Sequence, residues 1–279
     1  MVTQSPSSGP STAQKGWRAL VVAAHPDDTE FGCAGTIARW ADEGAEVTIC
    51  IVTDGSTGTQ DRALMGERLA AIRREESEKA AAVLGARNFE WLGYPDGEVG
   101  YTLDLRRDIA RAFRRHRPHR FVVMDPASTI EDRFINHPDH RAIGQASLDV
   151  TLTAGTTPGH FPELLDEGLD PWRGLRETWI AGPGIKPVAV DISSTIDRKI
   201  EALLCHVSQV GDDRAEIETW VRRFSAQLGQ PFGYAHAETF QVIVEGPGFH
   251  ADEQEELPGF EPTKPPSAFR RDPRAAPPA

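Results

Sequence analysis

Two short stretches of the 279-residue chain carry side chains able to do chemistry together: Ala24-His25-Pro26-Asp27-Asp28-Thr29-Glu30 and Asn136-His137-Pro138-Asp139-His140. In each, a proline stiffens the turn by fixing its own φ and restricting the residue before it. Two imidazoles and one carboxylate around a divalent ion, with a fourth position left to water, form the usual catalytic zinc set. We assign His25, Asp28 and His140 as the ligands. Asp27, adjacent to them yet spare, is placed to act as general base toward a water. His137, three residues before His140, becomes the acid or oxyanion partner, with Asp139 holding its tautomer. Two acid/base groups beside one Lewis acid suit amide hydrolysis.

Plainer readings compete. Asp28 can cap a helix, and Asn136 followed by Pro138 and Asp139 is a good helix start. The triplet His25-Pro26-Asp27 with a distant His140 also spells a facial triad for non-haem Fe(II) oxidation. That reading leaves Asp28 and His137 unemployed, and such oxygenases are usually β-rich.

The elements that must position these residues alternate between strand and helix. The continuous apolar run Ala19 to Ala24 reads as a strand buried on both faces. A helix from Phe31 to Glu43 follows, then a strand over Glu46 to Thr53, a long helix from about Ala63 to Leu84, and a third strand over Asn88 to Leu92. The turn Gly93 to Gly97 leads to a helix over Leu103 to His116 and a fourth strand over Arg120 to Met124. The second motif then opens an amphipathic helix through Val150. Such repetition predicts an α/β fold, a Rossmann-like doubly wound, mainly parallel sheet with helices on both faces. Ligands bind where the winding reverses, between strands one and four, so the two motifs should meet there.

Beyond Ala154 the alternation weakens into a smaller C-terminal α+β elaboration. Strands are expected at Glu177 to Ala181, Val188 to Asp191 and Ala237 to Val244. Ser194 to Asp197 reads as a capping box for a helix to about Gln209, followed by a helix over Ala215 to Leu228. Residues 1–16 form a polar arm, 17–256 a single domain, and 257–279 a proline-rich tail excluded from the fold. The loops Asp54 to Asp61 and Gly155 to Gly174 are candidate pocket rims. His116, His119, His160, His236 and His250 lack any motif and read as surface or incidental residues.

A formal charge of −12 and a pI near 5.2 argue against nucleic acid or an anionic membrane as partner. A small molecule is the expected partner, and a homo-oligomer is left open. Three widely spaced cysteines indicate neither a disulfide framework nor a thiolate metal site. The start has no apolar signal region and no run is long enough for a membrane span, so a cytoplasmic protein is expected.

With these residues in view, the sequence resembles the LmbE-like, or PIG-L, family of zinc-dependent N-deacetylases. Ala24 to Glu30 fits the family's A-H-P-D-D-x-E signature, and His137-Pro138-Asp139-His140 fits its second motif. Weaker echoes are Tyr94-Pro95-Asp96-Gly97 and His206-Val207-Ser208-Gln209. The resemblance implies zinc on His25, Asp28 and His140, Asp27 as base, and removal of an acetyl or related acyl group from an amino sugar or similar amine. It also implies that Arg73 and Asp96 contact sugar hydroxyls, although Arg73 reads equally well as an exposed helix charge. One departure is Ile135, where relatives acting on glucosaminyl-inositol carry a tyrosine. His206 reads more naturally as a helix-core residue than as part of the pocket.

Overall fold

The computed structural model describes residues 16–127, 130–131, 134–182, 184, 187–245, 257 and 260–263. The expected N-terminal arm up to residue 15, His250 and most of the tail lie outside the described residues. Elements run in the order β1 (Arg18–Ala23), α1 (Asp28–Gly32), α2 (Ala34–Asp42), β2 (Glu46–Thr53), α3 (Glu67–Leu84), β3 (Asn88–Tyr94), α4 (Leu103–His116) and β4 (Arg120–Val123). A two-stranded ribbon, β5 (Ile130–Glu131) and β6 (Phe134–Ile135), precedes α5 (Pro138–Leu152) and α6 (Glu163–Asp166). The chain continues through β7 (Glu177–Ala181), β8 (Val188–Asp191), α7 (Ile196–Leu203), α8 (Val207–Val210), α9 (Arg214–Gly229) and β9 (Ala237–Val244).

Seven strands form one sheet in the order β3-β2-β1-β4-β7-β9-β8. The first five are parallel, and β9 runs antiparallel to both β7 and β8. β1 pairs with β4 through Ala19↔Arg120 to Val21↔Val122, so the winding reverses between them as expected of a doubly wound sheet.

The unbroken apolar character of β1 follows from two cores. Ala19, Val21 and Ala23 face a cluster with Ile37, Trp40, Leu84, Trp179, Ile200 and Phe240. Leu20, Val22 and Ala24 face the opposite one, with Ile109, Phe113, Phe121, Ile143 and Val150. Successive strand residues point to opposite faces, so burial on both sides leaves no room for polar alternation.

Several boundaries differ from the sequence expectation for physical reasons. The single helix expected over Phe31 to Glu43 is two, broken at Cys33 with φ −147°. The start of α2 is held by Glu238 of β9, whose carboxylate accepts the amide N–H of Gly35 (3.0 Å) and of Thr36 (2.8 Å) and the Thr36 hydroxyl (2.6 Å). A carboxylate arriving from 203 residues away thus satisfies the free donors of a helix start. The long third helix begins at Glu67 rather than Ala63.

The capping box expected over Ser194 to Asp197 does not form. Thr195 instead donates its hydroxyl to the Gly35 carbonyl at 2.8 Å. The helix expected to reach Gln209 breaks before His206, because Glu76 of α3 accepts the Ser208 amide N–H (2.8 Å) and hydroxyl (2.6 Å) and starts α8 anew.

The tail is also not wholly outside the fold. Leu257 and Phe260 pack on the first core, and the Phe260 ring meets Trp17 at 5.6 Å. Phe260 closes an aromatic cage around Arg120, lying 4.5 Å from its guanidinium beside Trp17, Trp40 and Trp179. Arg120, nearly buried, pairs with Glu177 at 2.7 Å. Phe260 fits there because a desolvated cation is stabilised by ring faces.

Candidate metal centre

The first motif leaves the carboxyl end of β1 and turns at once. Asp27 adopts a left-handed conformation with φ 87°, an uncommon state for a residue with a side chain. Arg73 of α3 braces it: Nη2 donates to the Pro26 carbonyl (2.7 Å) and to Asp27 Oδ2 (3.2 Å), and Nη1 to the Gly55 carbonyl (3.1 Å). The loop after β2 runs tight over this guanidinium. A Cβ at Gly58 would lie 2.5 Å from Arg73 Nη1, so any side chain there would have to displace this guanidinium. Asp28 turns back to accept the His25 amide N–H at 2.7 Å, which fixes the ligand loop from within.

The second motif arrives on the N-terminus of α5. His137 caps that helix, its Nδ1 accepting the Asp139 amide N–H at 3.2 Å, and Pro138 occupies the first turn. Gly144 lets α5 approach the end of β4, since a Cβ there would sit 2.5 Å from the Met124 carbonyl oxygen. These two features bring residues 115 apart into contact: His25 Nδ1 and His140 Nε2 are separated by 3.2 Å.

Asp28 completes a triangle, with Oδ2 3.4 Å from His25 Nδ1 and Oδ1 3.3 Å from His140 Nε2. Donors about 2.1 Å from one centre in a tetrahedron are about 3.4 Å apart, close to the His25–His140 separation, and Asp28 presents a different oxygen to each of the two imidazoles. Among the described residues, two groups bring one donor atom from each member within 4.8 Å of the others: the imidazoles of His25, His137 and His140, and the set His25, Asp96 and Asp139. We favour the first triangle. His137 Nδ1 is engaged in the helix cap, and Asp139 already accepts the amide N–H of Gly97 (2.8 Å) and Val99 (3.3 Å).

Asp139 and Asp96 instead hold His25 from behind. Its Nε2 lies 3.1 Å from Asp96 Oδ1 and 3.2 Å from Asp139 Oδ2, which directs Nδ1 toward the triangle. Asp96 is in turn fixed by Thr57, whose amide N–H and hydroxyl donate to Oδ2 at 3.0 and 2.9 Å. The expectation that Asp139 holds the tautomer of His137 is therefore corrected. At the first turn of a helix, its side chain points away from the capping residue and into the sheet end. His137 keeps only a backbone bond from that residue, and its ring stands edge-on to His25 with centroids 4.7 Å apart.

The electrostatics favour a cation. Burial opposes the charged form of His25, but Asp28 and Asp96 outweigh it and push the imidazole up to about 10. Burial likewise opposes ionised Asp28 and Asp96, yet His140 and His25 hold Asp28 well below the usual carboxylate range, and His25 and Thr57 do the same for Asp96. Asp27 goes the other way. Burial and the Asp28 charge push it up to about 7, against the pull of Arg73 and His206. Burial and the neighbouring His25 lower His137, which keeps it neutral. With Nδ1 accepting, the neutral ring carries its hydrogen on Nε2.

Arg73 and Asp96 sit where a sugar contact was not the first need. Arg73 is a buried residue rather than an exposed helix charge, and both terminal nitrogens are engaged with the signature loop and its neighbour. Both carboxylate oxygens of Asp96 are engaged as well.

Two histidines stand elsewhere than the sequence suggests. His206 is not a helix-core residue but lies fully buried at the break between α7 and α8. Its Nε2 approaches Glu30 Oε2 at 3.2 Å, an ion-pair approach outside hydrogen-bond alignment. Its sequence signals were Glu30 inside the signature and the echo His206-Val207-Ser208-Gln209. His119, expected at the surface, is buried against Arg18.

Comparison with known proteins agrees with this architecture. The profile of the family described as PIG-L, GlcNAc-PI de-N-acetylase, matches residues 20–151. Diacetylchitobiose deacetylase of Thermococcus kodakarensis is 31% identical over 227 residues, which span 81% of this chain and 83% of that protein. A 1D-myo-inositol 2-acetamido-2-deoxy-alpha-D-glucopyranoside deacetylase of Saccharopolyspora erythraea is 30% identical over 70% of this chain and 84% of its own. The solved N,N'-diacetylchitobiose deacetylase of Pyrococcus horikoshii, bound to its inhibitor MPG, superposes with a TM-score of 0.74 at 32% identity, covering 81% of this chain and 84% of that one. With both motifs on one switch point and relatives matched over most of their length, the chain belongs to the PIG-L, LmbE-like deacetylase family.

Proposed function

We propose that the protein is a zinc-dependent hydrolase that removes an acetyl group from the amide nitrogen of an amino sugar or its glycoside. The observation that carries this reading is the His25, Asp28 and His140 triangle with its 3.2 to 3.4 Å edges and Asp27 as the residue next to Asp28. The two sequence relatives described above are named for deacetylation of acetamido sugars, which supports the substrate class.

A zinc ion on His25, Asp28 and His140 would polarise the amide carbonyl and acidify a water beside it. The chain's own residues do the rest. Asp27, braced by Arg73, takes the proton of the attacking water and passes it to the departing amine nitrogen. His137, neutral and with Nε2–H free of the helix cap, donates a hydrogen bond to the oxygen on which charge develops. Asp96 and Asp139 keep the His25 ring from turning.

The test is amine release from N-acetylglucosamine and its glycosides by protein carrying one zinc per chain. Stoichiometric metal with no amine from any acetamido sugar would sink the reading.

A further inference from the structure

A cluster of aromatic rings lies beside the signature and plays no part in the chemistry above. Phe31 lies in α1, the helix that opens with Asp28, one residue before its end at Gly32. It stands three residues after Asp28, the first residue of that helix, and so lies near its side of the helix, about 4.5 Å along the axis. Its ring meets Trp220 of α9 edge-on at 5.6 Å. Trp220 is stacked parallel to Phe224 one turn later, at 5.4 Å and an interplanar angle of 4°. None of the three is in the core: Phe31, Trp220 and Phe224 are 38%, 46% and 44% exposed.

Three large rings exposed together, contiguous with a catalytic motif, are the kind of patch that marks a binding groove. Aromatic faces carry partial negative charge, and the C–H groups lining a pyranose face carry partial positive charge. A sugar ring can therefore stack on such a face while its hydroxyls remain in water. The metal cluster grips only the acetamido group, so further sugars of a longer substrate must rest on something beyond it. The aromatic row begins at Phe31, the residue after Glu30 of the signature, and continues through two successive ring-to-ring steps to Phe224, enough for more than one sugar unit.

We propose that Phe31, Trp220 and Phe224 form a stacking platform for the sugar units next to the one being deacetylated, so that the enzyme selects acetamido oligosaccharides over the monosaccharide. The proposal rests on the acetamido-sugar reading above and adds the length preference and the residues that set it.

The experiment compares N-acetylglucosamine with its β-1,4-linked trimer on the zinc-loaded full chain, by titration calorimetry and by amine release. Trp220→Ala should lower the trimer-to-monomer affinity ratio about tenfold, the loss of a stacked, partly desolvated indole. Trp220→Phe, which keeps a ring face, should hold that ratio within about twofold of wild type. An unchanged ratio in Trp220→Ala would overturn the platform. So would a change of oligomeric state in sedimentation on Trp220→Ala, since the rings would then lie between copies of the chain. Wild-type protein that releases no amine from either sugar would refute the catalytic reading, while the affinity ratio still decides the platform on its own.

Discussion

Arg73 Nη2 lies 3.2 Å from Asp27 Oδ2 and 2.7 Å from the Pro26 carbonyl oxygen, so a side chain 46 residues downstream holds the candidate base in its left-handed backbone state. Removing it frees both the loop and the carboxylate. Arg73→Ala is expected to lower kcat about 100-fold, since a displacement of about 1 Å in a catalytic group has that cost. Arg73→Lys should recover little, because one ammonium cannot reach the acceptors that the two guanidinium nitrogens span. Steady-state kinetics with metal content measured alongside checks this, and near-normal turnover in Arg73→Ala would remove the brace from the mechanism.

The two neighbouring aspartates should separate cleanly. His25→Ala, Asp28→Ala and His140→Ala each delete a corner of the donor triangle and should strip zinc from the purified protein. Asp27→Asn should keep the metal and lose about 100- to 10,000-fold in kcat, the usual contribution of a general base. Elemental analysis of the four variants decides the assignment. Metal loss in folded Asp27→Asn equal to that in Asp28→Ala would contradict it.

Asp96 offers a sharper test, because its geometry and its family resemblance point to different roles. A carboxylate 3.1 Å from His25 Nε2 orients a ligand, and losing such a partner typically costs 10- to roughly 100-fold in metal affinity. Asp96→Ala is therefore expected to weaken zinc binding and to slow a minimal N-acetyl amine and a glycoside by similar factors. Zinc affinity by competition with a chelator reads the first effect. A loss confined to the glycoside, with unchanged zinc affinity, would favour direct sugar contact instead.

His119 links stability to pH. Its Nδ1 accepts the Arg18 amide N–H at 2.9 Å, and its own amide N–H donates to the Arg18 carbonyl at 2.8 Å, clipping the starts of β1 and β4 together. Burial, with the charges of Arg18, Arg176 and Arg117 nearby, lowers the imidazole from 6.5 to about 3. Between these values the unfolded chain binds a proton that the native one refuses. Stability should fall as pH drops from about 6.5 toward 3, by up to about 1.4 kcal/mol per pH unit from this group. Denaturant titrations of the metal-free wild type and His119→Gln across that range should show a shallower slope in the variant. Parallel slopes would mean that His119 is protonated in the native state.

Phe260 should matter for stability and not for chemistry. It caps the Arg120 cage at the amino ends of β1, β4 and β7, whereas the metal donors lie at the carboxyl ends. Phe260→Ala is expected to cost about 1 to 3 kcal/mol in chemical denaturation, through lost ring burial and an uncovered cation. Unchanged stability would show that the tail contributes nothing to the cage.

Much of the site is local and therefore legible in the amino-acid sequence. A histidine and two aspartates around a proline, after six apolar residues, specify a stiff ligand turn at a buried strand end. The strand-helix alternation specifies a parallel sheet whose switch point joins that turn to His137 and His140. What tertiary structure alone decided were the contacts made across the sheet and between distant helices. Glu238 starts α2 from 203 positions away, and Glu76 starts α8 from 132 away, so neither helix boundary has a local sign. Asp139 serves His25 rather than His137 because the first turn of α5 aims it at the strand end, an angle that spacing cannot convey. Arg73 resembles the other charges of α3 in sequence, yet only its position faces the loop after β1. Burial there converts one of many helix cations into the brace of the candidate base.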